Sequence, residues 1–181
     1  MNLKLLLHVC CACCSTEVIE MLKQEYDLVL FFSNSNIFPK EEYERRLESA
    51  RMVARDHKLE LIEEEYDNDK CEEFVSSVPN YKVLPEKGER CRMCFKFNLI
   101  RTAKMARERG IGMFATTLTI SPHKDNVLIN NIGKDVEKMF GVKYMESNFK
   151  ENDGFKKSVK HSKQLNLYRQ NYCGCRYSMR G

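Results

Sequence analysis

Hydrophobic and polar positions along the chain follow two periods. Residues 3–9, LKLLLHV, form a short apolar run and predict a buried strand. DLVLFF (27–32) repeats that pattern. LELIEEEYD (59–67) alternates at its start, GMFATTLT (112–119) is again short and apolar, and VKYMES (142–147) is a fifth candidate strand. Segments of helical period lie between them. Val18, Ile19 and Leu22 stripe residues 15–25, with Ser15 and Thr16 as candidate N-caps. Pro39 opens PKEEYERRLESARMVARDHK, where Tyr43, Leu47, Ala50, Val53 and Ala54 share one face. Further helices are predicted over 69–77, over roughly 92–109 closed by Gly110, and over SPHKDNVLINNIGKDVEKMFG, with Pro122 near the first turn and Gly141 past the end. A last helix is predicted over 154–166, and residues 78–90 read as a loop.

Strands alternating with helices predict an α/β, Rossmann-like architecture: a parallel sheet of about five strands flanked by helices. In such sheets ligands bind beyond the carboxyl ends of the strands, at the switch point of strand order. The first strand runs straight into a loop of cysteines, which places that loop there. With 181 residues and no internal repeat or linker, 1–181 reads as a single domain. The segment from about 150 is expected to pack on the same site. No run approaches the ~20 apolar residues of a membrane span, and the apolar N-terminus lacks the flanks of a secretory signal. The expected location is cytoplasmic, with no membrane partner.

Charge changes this picture. The net charge is only +4, but residues 1–90 carry 12 basic against 19 acidic side chains, and residues 91–181 carry 18 against 7. The basic half points to an anionic partner, nucleic acid first. Lys156, Lys160 and Lys163 fall on one face of the last predicted helix, and Lys157, His161 and Arg169 add to it. Phe95, Phe97 and Phe155 read as core rather than as stacking platforms.

The chemistry lies in nine cysteines. They form three groups: Cys10-Cys11-Ala-Cys13-Cys14, Cys91-Arg-Met-Cys94 and Cys173-Gly-Cys175, with Cys71 alone. In a reducing compartment such groups serve metals or catalysis more often than disulfides. Cys71 and Cys13 suit a core role. Cys91 and Cys94 sit near a predicted helix N-terminus, whose dipole favours thiolates. The spacing leaves iron–sulfur, zinc and redox dithiol chemistry open. His8, within a buried strand, reads first as a hydrogen-bonded core residue.

Several motifs then occur in a telling order: His8-x-Cys10-Cys11-x-x-Cys14, Ser33-Asn34-Ser35-Asn36-Ile37, Cys91-x-x-Cys94-Phe95, Thr116-Thr117-Leu118-x-x-Ser121-Pro122-x-Lys124, and Tyr168-Arg169-Gln170-x-Tyr172-Cys173-Gly174-Cys175. Over nearly the whole chain this resembles the QueH-type epoxyqueuosine reductases. One departure is Cys13, where that family usually has proline. The resemblance implies a fold similar to adenine-nucleotide α-hydrolases and PP-loop proteins. It implies a [4Fe-4S] cluster with further thiolate-bound iron. It also implies cobalamin-independent reduction of epoxyqueuosine to queuosine in tRNAs with GUN anticodons, the last step of queuosine synthesis. Iron–sulfur adenylylsulfate reductases, of related fold, show a similar vicinal Cys-Cys followed at long range by CxxC.

On this reading Cys10, Cys11, Cys91 and Cys94 surround the cluster. Cys14, Cys173 and Cys175 bind a second iron or form a redox dithiol. Vicinal cysteines in an extended segment point to opposite faces, so Cys10 and Cys11 could serve different metals. Tyr172, Tyr168, His8 or a water would supply protons. Asn34 and Asn36 follow the second strand and Ser121 and Lys124 follow the fourth, within reach of a modified base or a phosphate. An electron donor is required. Three rivals stand beside this reading. A PP-loop tRNA-modifying enzyme would need a Ser-Gly-Gly-type phosphate loop where this chain has cysteines. A zinc-dependent nucleic-acid-binding module and a metal-free thiol oxidoreductase are the others.

Overall fold

The computed structural model describes residues 2–179. Five strands form one parallel sheet: β1 (Leu3–His8), β2 (Tyr26–Phe32), β3 (Glu60–Glu63), β4 (Met113–Thr116) and β5 (Lys143–Tyr144), in the order β3-β2-β1-β4-β5. Six α-helices surround it: α1 (Ala12–Leu22), α2 (Lys40–His57), α3 (Asn68–Val75), α4 (Glu89–Glu108), α5 (Asn126–Phe140) and α6 (Gly154–Gln164). β1 is central, pairing with β2 from Leu3↔Tyr26 to His8↔Phe31 and with β4 from Leu6↔Phe114 to His8↔Thr116.

The two-residue period of the strands explains the layering. Leu5, Leu7, Leu28, Leu30 and Phe32 face one core with α1 and α2. Leu6, Val29 and Phe31 face the other with α4 and α5. Central strands covered on both faces have no polar positions to spare, which is why their runs are continuously apolar. The chain winds outward from β1 through β2 to β3, then returns through α3 and α4 to β4 on the opposite side. The strand order therefore reverses between β1 and β4.

Several boundaries differ from expectation; α4, for one, starts at Glu89 rather than near 92. α1 starts at Ala12 with Cys11 as its N-cap. Ser15 and Thr16 do not cap it; their hydroxyls donate back to the carbonyls of Ala12 at 2.8 Å and Cys13 at 3.1 Å. A thiol-rich first turn carries no cap signature, so the hydroxyls mark the start three residues late. α5 starts at Asn126, capped by Asp125, whose carboxylate accepts from the N–H groups of Val127 and Leu128. Pro122 belongs to the preceding turn instead. A 3₁₀ turn, Tyr81–Val83, interrupts the 78–90 loop.

Candidate functional site

At the reversal of strand order the backbone ladder gives out and side chains replace it. Val9 N–H still reaches Phe31 O at 2.9 Å. One residue on, Cys10 N–H donates to Thr117 Oγ1 at 3.0 Å, and Asn34 Nδ2 donates to Val9 O at 2.8 Å. Residues that follow β2 and β4 thus tie down the loop leaving β1. His8 is fully buried, with Nδ1 2.9 Å from Thr116 Oγ1 and Nε2 3.2 Å from Ser33 O. Ser33 O can only accept, so the ring proton of the neutral imidazole sits on Nε2, and Nδ1 accepts from the Thr116 hydroxyl. Burial holds His8 below its ordinary pKa. It is a neutral core residue.

The thiols gather in two neighbouring sets. Cys10, Cys11 and Cys14 form the first, each within hydrogen-bonding reach of the other two. Cys10 and Cys11 therefore do not diverge to opposite faces. With Cys11 at the N-cap and Cys14 in the first turn, the helix folds both thiols onto one side. Hydrogen bonds from Cys11 and Cys14 hold Cys10 well below the ordinary thiol range. The same bonds push Cys11 up to about 12 and Cys14 well above its usual value. Cys13 stands apart: its thiol donates to Tyr168 O at 3.3 Å.

The second set lines a cavity of about 40 Å³ between α3, the start of α4 and the C-terminal tail: Cys71, Cys91, Cys94, Cys173 and Cys175. Cys71 lies beside Cys94, and their mutual hydrogen bond raises Cys94 well above its ordinary pKa. Burial raises Cys91. Cys173 is exposed overall but lines the cavity, where desolvation pushes its thiol up to about 11.

Lys124 stands between the sets. A turn presents it: Lys124 N–H donates to Ser121 O at 3.3 Å, and His123 N–H donates to Ser121 Oγ at 3.3 Å. Burial disfavours its charge, but the facing thiols of Cys173, Cys10, Cys14 and Cys11 outweigh this and hold Lys124 above its usual value. Asn36 lines the cavity and accepts from Asn98 Nδ2 at 3.1 Å. Asn34 is spent on the loop of β1.

A buried ion pair that the sequence did not flag holds the tail. Arg46 and Glu42 are 2% and 6% exposed and meet at 2.8 Å. Arg46 donates from Nη1 to Cys173 O at 2.9 Å and from Nη2 to Tyr172 O at 3.2 Å, and lies 5.2 Å from the Tyr172 ring centre. Glu42 Oε2 accepts from the Tyr168 hydroxyl at 2.8 Å. Tyr172 donates its hydroxyl proton to Phe38 O at 2.5 Å. The only local signal was an i, i+4 Glu–Arg pair beside an apolar stripe, which usually marks a solvated face.

α6 packs Gly154, Ser158 and Ser162 against α1, leaving Lys156, Lys160 and Lys163 exposed on its outer face. Lys156 pairs with Asp153 at 2.8 Å. Lys157 and His161 approach Glu17 at 3.9 and 3.4 Å. Arg169 is exposed and close enough to the Cys13 thiol to lower its pKa against the stronger effect of burial.

All nine cysteines are free. Among the described residues no three His, Cys, Asp or Glu side chains converge as they would on one ion. A cluster held by four thiolates through its separate irons needs no such point. The donor chemistry fits an anionic thiolate-bound group. Arg90, 3% exposed, lines the cavity, has no carboxylate partner among the described residues and leaves Nε unpaired. A buried cation of that kind calls for negative charge beside it.

A doubly wound parallel sheet with thiols at its switch point, where sheets of this kind that bind dinucleotides carry a glycine-rich turn, defines a thiol-bearing Rossmann-like protein. A solved structure of similar fold is the U34-tRNA thiolase NcsA from Methanococcus maripaludis with its [4Fe-4S] cluster, at TM-score 0.57 and 12% identity over 99% of this chain. This chain spans 62% of that protein's length. The family model described as "Epoxyqueuosine reductase QueH" matches residues 5–181, and the chain belongs to that family. The epoxyqueuosine reductase QueH of Streptococcus pyogenes serotype M1 is 42% identical over 96% of this chain and 69% of its own length. That of Thermotoga maritima is 41% identical over 96% and 89%.

Proposed function

We infer that the chain is an epoxyqueuosine reductase that converts epoxyqueuosine to queuosine at the wobble position of tRNAs with GUN anticodons, without cobalamin. The observation that carries this is the gathering of eight thiols, in two sets, where the sheet of a QueH-family chain changes strand order. The reaction removes the epoxide oxygen as water and leaves an alkene, consuming two electrons and two protons. A [4Fe-4S] cluster, when bound, would supply electrons singly, and a further thiolate-bound iron would supply Lewis acidity.

Cys10, Cys11, Cys91 and Cys94 hold the cluster. Cys14 from one set and Cys173 and Cys175 from the other would bind the further iron or act as a dithiol. Lys124 faces both sets and stabilises the thiolates by charge. Arg46, Glu42, Tyr168 and Tyr172 position the tail that delivers Cys173 and Cys175. Asn36, Ser121 and Lys124 border the opening for the base, and the outer face of α6 with Arg169 meets the phosphates. The whole chain acts as one domain in the cytoplasm, with an external electron donor.

The test is anaerobic. The purified chain is assayed for iron, zinc and sulfide, then reduced with dithionite and mixed with tRNA bearing epoxyqueuosine. The nucleosides are read by mass spectrometry. Iron, sulfide and conversion to queuosine are expected. A reconstituted chain holding stoichiometric zinc and no iron, or a cluster-loaded chain that leaves the epoxide intact, overturns the reading.

A further inference from the structure

Arg90 is a cation in the wrong place for an ordinary surface arginine. It is the second residue of α4, 3% exposed, and next to Cys91. Its Nη1 donates to Tyr81 O at 2.8 Å and Leu84 O at 2.6 Å, and its guanidinium lies 4.6 Å from the Tyr177 ring centre. Its Nε has no partner among the described residues. Arginine stays ionised when buried, so the missing counter-charge must come from somewhere.

The surroundings offer one source. Glu72, the carboxylate lining the same cavity, accepts from the Tyr177 hydroxyl and forms no ion pair with Arg90 among the described residues. Tyr81 and Leu84 contribute only carbonyls. The rest of the polar lining is the amides of Asn36 and Asn68, a second cation, Arg176, whose Nη2 donates to Asn68 Oδ1 at 2.9 Å, and the thiols Cys71, Cys91, Cys94, Cys173 and Cys175, which alone can become anions by binding metal. Burial at this depth keeps Arg90 from reaching a phosphate of a bound nucleic acid outside. The position therefore suits negative charge that arises inside the cavity.

We propose that Arg90 is the built-in counter-cation of the thiol cavity, offsetting the negative charge of its thiolates once they bind metal and thereby raising the reduction potential of the site. The inference rests on the metal reading above. It adds a residue that touches neither substrate nor reacting atoms and acts only through its charge on the thiolate-bound group. A fixed positive charge in a low-dielectric surround favours the more reduced, more negative state. Its removal therefore shifts the potential downward.

The experiment compares Arg90→Met and Arg90→Lys with the unaltered chain. Each is reconstituted anaerobically, assayed for iron and sulfide, and titrated reductively against dyes of known potential while the visible spectrum is followed. Arg90→Met is expected to disfavour reduction by about tenfold, about 59 mV for a one-electron couple. Arg90→Lys, which keeps the charge but cannot make the same fork of hydrogen bonds, is expected to stay near the unaltered value. An unshifted Arg90→Met, or an Arg90→Lys shifted equally, overturns the proposal, the latter in favour of a role in anchoring the 81–84 loop. If Arg90→Met takes up no iron, loading of Arg90→Lys decides. Full loading supports the charge role and failed loading overturns it. Failure of the unaltered chain to take up iron and sulfide instead removes the metal reading itself.

Discussion

Residue 46 carries a guanidinium where the helical stripe of α2 asks for carbon, and the tail answers it. Three of its nitrogens are occupied, by Glu42, Tyr172 O and Cys173 O. Removing one partner of a buried pair leaves the other uncompensated, at a cost of about 3–5 kcal/mol. Arg46→Met is therefore expected to lower unfolding stability by about that amount, read from urea denaturation of the metal-free protein. A loss under about 1 kcal/mol would show that the pair behaves as a solvated one. Cys71 gives a second contrast. It lines the cavity beside Cys94 but lies outside the motifs that carry the resemblance in the sequence. Cys71→Ser is expected to keep its iron after anaerobic reconstitution, while Cys91→Ser loses most of it. Equal retention would dismiss Cys91 as a ligand. The thiols' importance was legible in the sequence because groups of cysteine are rare. Arg46 and Glu42 were not, because their partners lie 126 residues away. No local period encodes that distance.

The elements were readable where each carries its own pattern. Short apolar runs and one alternating segment gave the strands, and the glycines closing α4 and α5 gave their ends: Gly110 and Gly141 both take positive φ. The start of α1 was misplaced because a cysteine N-cap leaves no signature. That shift of three residues decides the site, since it puts Cys11 and Cys14 on one side. α5 offers a test of packing against propensity. Gly133 lies mid-helix, where alanine would gain up to about 1 kcal/mol. A Cβ there, however, would stand 2.3 Å from the Tyr144 ring on β5. Overpacking costs about 1–3 kcal/mol, so Gly133→Ala is expected to destabilise the protein in thermal unfolding. A raised Tm would mean that Tyr144 can move aside freely.

Across the whole molecule the charge asymmetry of the sequence becomes a surface. Residues 60–73, through β3 and α3, carry eight acidic side chains against one basic, and α6 and the tail bring basic groups next to the thiol-bearing turn of α1. The outer face of α6 is not uniform. Lys156 is held by Asp153, whereas Lys160 and Lys163 are exposed and form no ion pair among the described residues. A lysine that gives up a bound counterion to a phosphate adds to the salt dependence of binding, and one already paired with a carboxylate adds little. Affinity for tRNA is therefore expected to fall steeply with salt. The double variant Lys160→Gln/Lys163→Gln should flatten the log–log slope by about 1 for each phosphate it no longer neutralises. Lys156→Gln should flatten it less. Filter binding across a salt series measures all three. If the double variant keeps the slope of the unaltered chain, α6 does not face the RNA. The basic half would then have to act through other groups, such as Lys124, which faces both thiol sets.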